Sequence, residues 1–242
     1  MQRRITPAAL LLTAFLALTG CGTNTGTETA TSSSPASSAT PSPTPSPAKT
    51  YTDADLSSLL STLKDSQGRP LTVVPAAQID QGIIKAKEVL KNAVFTPPAC
   101  NVFADSNSQI PEDSTYAAGT TVSAADKTAI VVTVIALKDA KELRDHLDAS
   151  KKASAACSNF TVELAGQKIT TEVQEVNAQT KGDQSFAALA KQSLSTGEKQ
   201  TALTMTGIKG NLAATAVKAG PDVTPNAGPE LAQLIDTILA HG

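Results

Sequence analysis

Few residues in this chain have the type and spacing to do chemistry. There are three cysteines, Cys21, Cys100 and Cys157, and two histidines, His146 and His241. No two cysteines are close enough for a redox C-x-x-C pair, and no His lies near them to complete a zinc site. Two histidines leave little for a Ser-His-Asp arrangement; His146 falls in a charged helical stretch and reads as a solvated helix residue. G-x-S-x-G, G-x-x-x-x-G-K and H-E-x-x-H are all absent, so hydrolase, nucleotide-binding and metalloprotease readings have no handle. Asp105, Glu112 and Asp113 are close enough in one loop to bind a hard cation, but such carboxylates more often stay solvated. Asn159, Phe160 and Thr161 form a glycosylation sequon. The expectation is a protein with no catalytic residues, no metal and no cofactor.

The cysteines carry the clearest chemistry. Arg3 and Arg4 precede an apolar run from Ala8 to Leu18, which is too short to cross about 30 Å of hydrocarbon at about 1.5 Å per residue. This is the pattern of a cleaved export signal. Its end, Leu18, Thr19, Gly20 and Cys21, matches the bacterial lipobox, in which the thiol takes a diacylglyceryl group as a thioether. The sequence therefore predicts a lipoprotein signal peptide over residues 1–20, with lipidation at Cys21. Two or more acyl chains give stable anchoring where one is marginal. The expected location is the cell membrane, lipid-anchored and facing the extracytoplasmic side. Because the lipobox is bacterial, the sequon carries little weight.

Exported chains fold in oxidising compartments, and with Cys21 lipidated only Cys100 and Cys157 remain. Their simplest state is one structural disulfide.

The elements around these residues divide the chain. Of the 29 residues from 22 to 50, 20 are Thr, Ser or Pro, too few of them apolar to offset the entropy of ordering. Residues 21–50 are predicted to be the lipidated cysteine and a disordered tether, reaching at most about 90 Å at about 3.1 Å per residue. Residues 51–242 form one domain. Setting aside Arg3, Arg4, Lys49 and Glu28 leaves 17 basic and 21 acidic residues, and aromatics are only 3% of the chain. An acidic balance with few rings excludes nucleic-acid binding and offers no basic patch to anionic lipid.

Within the domain, Asp53 is placed to cap a helix carrying Leu56, Leu59, Leu60 and Leu63. Pro75 opens a second helix, with Ile79, Ile83, Ala86, Leu90 and Val94 on one face up to Pro97 and Pro98. Residues 116–122 and 128–137 read as an antiparallel strand pair, the second central and buried. Leu143, Arg144 and Leu147 return to a helical period that persists to Cys157. Asp139, Glu142, Asp145 and Asp148 interleave with lysines as a mixed charged face. Strands follow at 160–164 and 169–176 about the turn Ala165, Gly166 and Gln167. Residues 185–193 fit either a helix or an edge strand; strand is adopted because the meander then continues into 201–208 and 212–218 about Gly210 and Asn211. Pro229 opens a last amphipathic helix with Leu231, Leu234, Ile235, Ile238 and Leu239. The predicted class is α+β, a mostly antiparallel β-sheet flanked by α-helices with one disulfide.

Pro97, Pro98, Ala99 and Cys100, then Tyr116, the buried strand to Leu137, the helix ending at Cys157, Gly210 and Asn211 before a β-branched strand, and the final helix follow one order over residues 54–240. In that order the chain resembles the extracytoplasmic sensor domain of the mycobacterial serine/threonine kinase PknH, a family that includes stand-alone actinobacterial lipoproteins. The resemblance implies an antiparallel sheet with helices, a cleft for an unidentified ligand and no catalytic centre. The chain departs from the family in having Ala153, Ser154, Ala155 and Ala156 where members carry an aromatic, and in lacking the second disulfide of the kinase members. No kinase domain is expected ahead of the sensor-like one. The functional expectation is a membrane-anchored, non-enzymatic ligand-binding or sensor module of the cell envelope; the alternative is a lipid or glycolipid carrier. Its partners are expected to be the membrane and an envelope small molecule, lipid or protein.

Overall fold

A computed structural model describes residues 49–104, 110–111 and 113–241. Cys21, Asp105 and Glu112 lie outside them. The order is α1 (Asp53–Ser61), β1 (Thr72–Val74), α2 (Ala76–Leu90), β2 (Val94–Thr96), a 3-10 helix (Pro98–Ala104), β3 (Thr115–Ser123), β4 (Thr128–Ala136), α3 (Ala140–Ala156), β5 (Asn159–Leu164), β6 (Gln167–Glu175), β7 (Gln184–Leu194), β8 (Lys199–Lys209), β9 (Leu212–Gly220) and α4 (Gly228–Leu239). The nine strands form one sheet in the order β1-β3-β4-β9-β8-β7-β6-β5-β2. Every pairing is antiparallel, as the α+β reading required.

Three local expectations need correction. The cap of α1 is Thr52, not Asp53: its hydroxyl accepts from the Asp55 N–H, and the Asp55 carboxylate accepts from the Thr52 N–H at 2.9 Å. This reciprocal capping box satisfies two orphan donors at once, which Asp53 cannot do. Helix α2 ends at Leu90, and Val94 pairs with Glu163 of β5 in an edge strand. Pro97 disfavours helical backbone at Thr96, and pairing with β5 decides the rest. Residues 184–194 are indeed a strand, but an interior one between β6 and β8.

Side chains alternate across the sheet, so each strand serves two layers. On the first face, Val132, Val134, Ala214, Leu203 and Met205 pack against Leu56 and Leu60 of α1 and Leu231, Ile235 and Ile238 of α4. Helix α4 comes close because Gly207 lies beneath it: a Cβ there would meet Thr180 Oγ1 at 2.6 Å and Ile235 Cγ2 at 2.8 Å. On the second face, Ile135, Ala213, Ile208, Phe186 and Phe160 pack against Leu143 and Leu147 of α3. The Cys100–Cys157 disulfide, with Cα atoms 5.6 Å apart, is buried in this layer and joins the 3-10 helix to the end of α3. Phe103 stacks on Phe160 beside it, at 5.0 Å between ring centroids.

Candidate functional site

Among the described residues, Cys100 and Cys157 pair, while His146, His241 and Asp113 do not converge. His146 is not the solvated residue its neighbours implied: only 16% of its side chain is exposed, and Nε2 lies 3.8 Å from Glu142. His241 contributes its carbonyl, which accepts from Lys49 Nζ at 2.6 Å and the Tyr51 hydroxyl at 2.8 Å. Asp113 is exposed, with a positive φ of 60°. Among the described residues no three His, Cys, Asp or Glu side chains are grouped to hold a metal ion. The charged face of α3 carries Lys141 paired with Asp145, and Lys151 3.7 Å from Asp148.

The arrangement that can bind something is on the second face of the sheet, and it comes from register. Ala118 pairs with Thr133, Thr133 with Thr215, and Thr215 with Thr206, which sets three threonines side by side on β4, β9 and β8. The Thr206 and Thr215 hydroxyls are 3.0 Å apart and bond each other. The next row runs Thr120, Val131, Val217 and Thr204. Followed across β3, β4, β9, β8 and β7, this face carries no charged side chain, whereas Lys191, Lys209 and Lys218 project to the other side. The surface is neutral, hydroxyl-bearing and otherwise flat with Ala and Val.

Two helical connections cross it. Helix α3 leads from β4 to β5 over one end of the strands, and α2 leads from edge strand β1 to edge strand β2. The Tyr116 hydroxyl, on this same face, donates to Asp80 of α2. That bond, then burial and the nearby negative charge, push the Tyr116 pKa up to about 12. Thr204, Thr206, Thr215 and Val217 are buried, while Thr120, Val131 and Thr133 are half-buried, so this face is accessible chiefly over β3 and β4. Among the described residues, the buried side-chain atoms without a hydrogen-bond partner are His146 Nδ1, Thr171 Oγ1 and Gln184 Oε1. Thr171 and Gln184 face this side of the sheet but are level with positions eight residues apart on β7, and His146 is on α3, so the three do not share one site. Each such atom costs about 1–3 kcal/mol until it meets a donor or acceptor. The sequence placed these threonines within strands and no more; their adjacency follows from pairings far apart in the chain.

The surface elsewhere has open concavities of about 130, 370 and 660 Å³. The smallest, at the root of the domain, is lined by Lys49, Tyr51, Asp113, Lys138 and Asn211. No enclosed apolar chamber of the kind that shelters an acyl chain appears among these concavities, and no helix in the described residues is long and apolar enough to cross a membrane.

No protein-family model and no curated protein matches the chain. Among solved structures, it is similar to the extracellular domain of PknH from Mycobacterium tuberculosis, with a TM-score of 0.52, 12% identity, and coverage of 80% of this chain and 99% of that one. An uncharacterised protein from Mycobacterium smegmatis, an Rv0999 ortholog, aligns with a TM-score of 0.40 and 12% identity over 71% of this chain and 84% of its own. The first likeness shows a shared fold: the chain has the fold of the extracellular domain of PknH.

Proposed function

We propose that this chain is a membrane-anchored extracytoplasmic lipoprotein whose domain, residues 51–242, is a non-enzymatic ligand-binding module of the cell envelope. Residues 1–20 are its signal, Cys21 carries the lipid, and residues 22–50 are the tether. The observation that carries the binding reading is the uncharged, threonine-bearing face of β3, β4, β9 and β8, half-buried over β3 and β4. Burying an ion against a floor with no counter-charge is costly, whereas neutral hydroxyl or amide groups can pair with the Thr hydroxyls. The ligand is accordingly an uncharged polar molecule. The fold shared with a sensor domain and the lack of any catalytic motif or metal-binding cluster in the described residues support a sensing role.

Native mass spectrometry tests this, comparing protein purified from its own envelope with protein made without it. The expected result is a bound, uncharged mass in the first sample only, lost in a Thr133→Arg variant that puts a guanidinium on that face. A bound mass bearing acyl chains would favour the carrier reading. No bound mass in either sample, or turnover of ester or peptide substrates, would overturn the proposal.

A further inference from the structure

Helix α2 is held differently from the other helices. In α4, six of twelve residues are buried; in α2, Ala86 and Leu90 are buried out of fifteen. Ile84 and Val89 stay 48% and 50% exposed. Pro75 supplies no side-chain acceptor at the N-terminus, no acidic residue occupies the first turn, and Gly82 sits mid-helix at a cost of about 1 kcal/mol relative to Ala. The strands that fasten its two ends, β1 and β2, are three residues each and lie at opposite outer edges of the sheet.

Those ends are not equivalent. Beyond β2 the chain is secured: Phe95 is buried, with its ring centroid 6.1 Å from that of Phe160, and the disulfide follows at Cys100. At β1, Thr72 is exposed and Val73 and Val74 are half-buried, Val73 against the first-face core, and one tie onward is the exposed bond from Tyr116 to Asp80. A segment with few buried apolar contacts opens at lower free energy than the body it rests on.

We propose that residues 72–93 form a strap that lifts from the sheet at the β1 end, hinging before β2, and so admits the ligand to the threonine floor. The gate rests on the binding reading above, but its test does not require a ligand. Val74 and Ala118 are direct cross-strand partners on the threonine-bearing face. An oxidised Val74→Cys/Ala118→Cys pair therefore locks the strap shut, since opposed antiparallel positions fall within disulfide reach.

Hydrogen exchange of the full chain, read by mass spectrometry, decides the matter. Amides of residues 76–90 are expected to exchange at least tenfold faster than those of α3 and α4. The oxidised lock is expected to slow them about tenfold relative to the same variant with alkylated thiols, and Tyr116→Phe to speed them severalfold while α1 and α4 keep their rates. Protection of α2 equal to that of α4, exchange indifferent to the lock, or a Tyr116→Phe effect spread evenly over the domain would each overturn the strap. Failure to find any bound mass would sink the binding reading and leave these rates as they are, so the two fail separately.

Discussion

Asp65 is a carboxylate with no side-chain exposure, and its surroundings explain why it stays ionised. Oδ1 accepts from the Gln67 and Arg69 N–H groups at 2.9 Å, and Oδ2 from Arg69 Nε at 2.6 Å. Burial alone would raise its pKa; the hydrogen bonds from Arg69 and Gln67, with the guanidinium charge, outweigh that and hold it below the ordinary range. Glu230 behaves alike: burial raises it, but Lys218 Nζ at 2.6 Å and the Ser66 hydroxyl at 2.6 Å outweigh that and hold it below the ordinary range. Both folded values lie below the unfolded ones. Their stabilisation is therefore fully present above about pH 4–5 and is lost as pH falls through the folded values. The urea midpoint is expected to decline from about pH 5 toward pH 3, and less steeply in Asp65→Asn, whose side chain cannot titrate. At pH 7, Asp65→Ala should cost about 3 kcal/mol, because it strands two backbone donors and the guanidinium; an unchanged midpoint would refute this account of the 65–69 turn.

Packing between elements turns on close approach. Gly207 on β8 lets α4 sit against the sheet, and the methyl of Gly207→Ala would collide with Thr180 Oγ1 and Ile235. Overpacking of this kind costs about 1–3 kcal/mol, so denaturant titration of Gly207→Ala should show that loss, while Gly197→Ala, whose added Cβ meets no atom within 4 Å, should pay only for its positive φ. Elements with a strong internal period were legible in the sequence. The alternation of β6 and the stripe of α4 each require one face to be buried, and both elements form where expected. The three-residue edge strands were not legible, since β1 and β2 are too short to show a period and exist only through pairing with β3 and β5. The threonine-bearing face was invisible for a related reason. Thr133, Thr206 and Thr215 become neighbours only when β4, β9 and β8 adopt their register, which no local pattern encodes. The two folded-domain cysteines, by contrast, were legible by arithmetic and do pair.

Across the whole molecule, the disulfide closes a loop between residues 57 apart. Such a closure stabilises by about 4 kcal/mol in the chain-entropy account, so the Cys100→Ser/Cys157→Ser double variant should lose about that much in urea. A loss below about 1 kcal/mol would show that the link does not limit the unfolded chain. Anchoring is tested at the other end: Cys21→Ser should move the protein from the detergent to the aqueous phase on phase separation, and equal partition of both forms would refute lipidation. The domain's first described residues are also gripped firmly. The Lys49 carbonyl accepts from Asn211 Nδ2 at 2.9 Å, while Lys49 Nζ and the Tyr51 hydroxyl both hold the His241 carbonyl. Asn211 lies in the turn between β8 and β9, at the middle of the sheet. A mechanical pull on the chain before Lys49 is therefore delivered to the central hairpin and the end of α4, not to an edge strand that could peel away. Since rupture under load follows the unfolding rate, tension applied at Lys49 loads the central strands and leaves the strap outside the line of force.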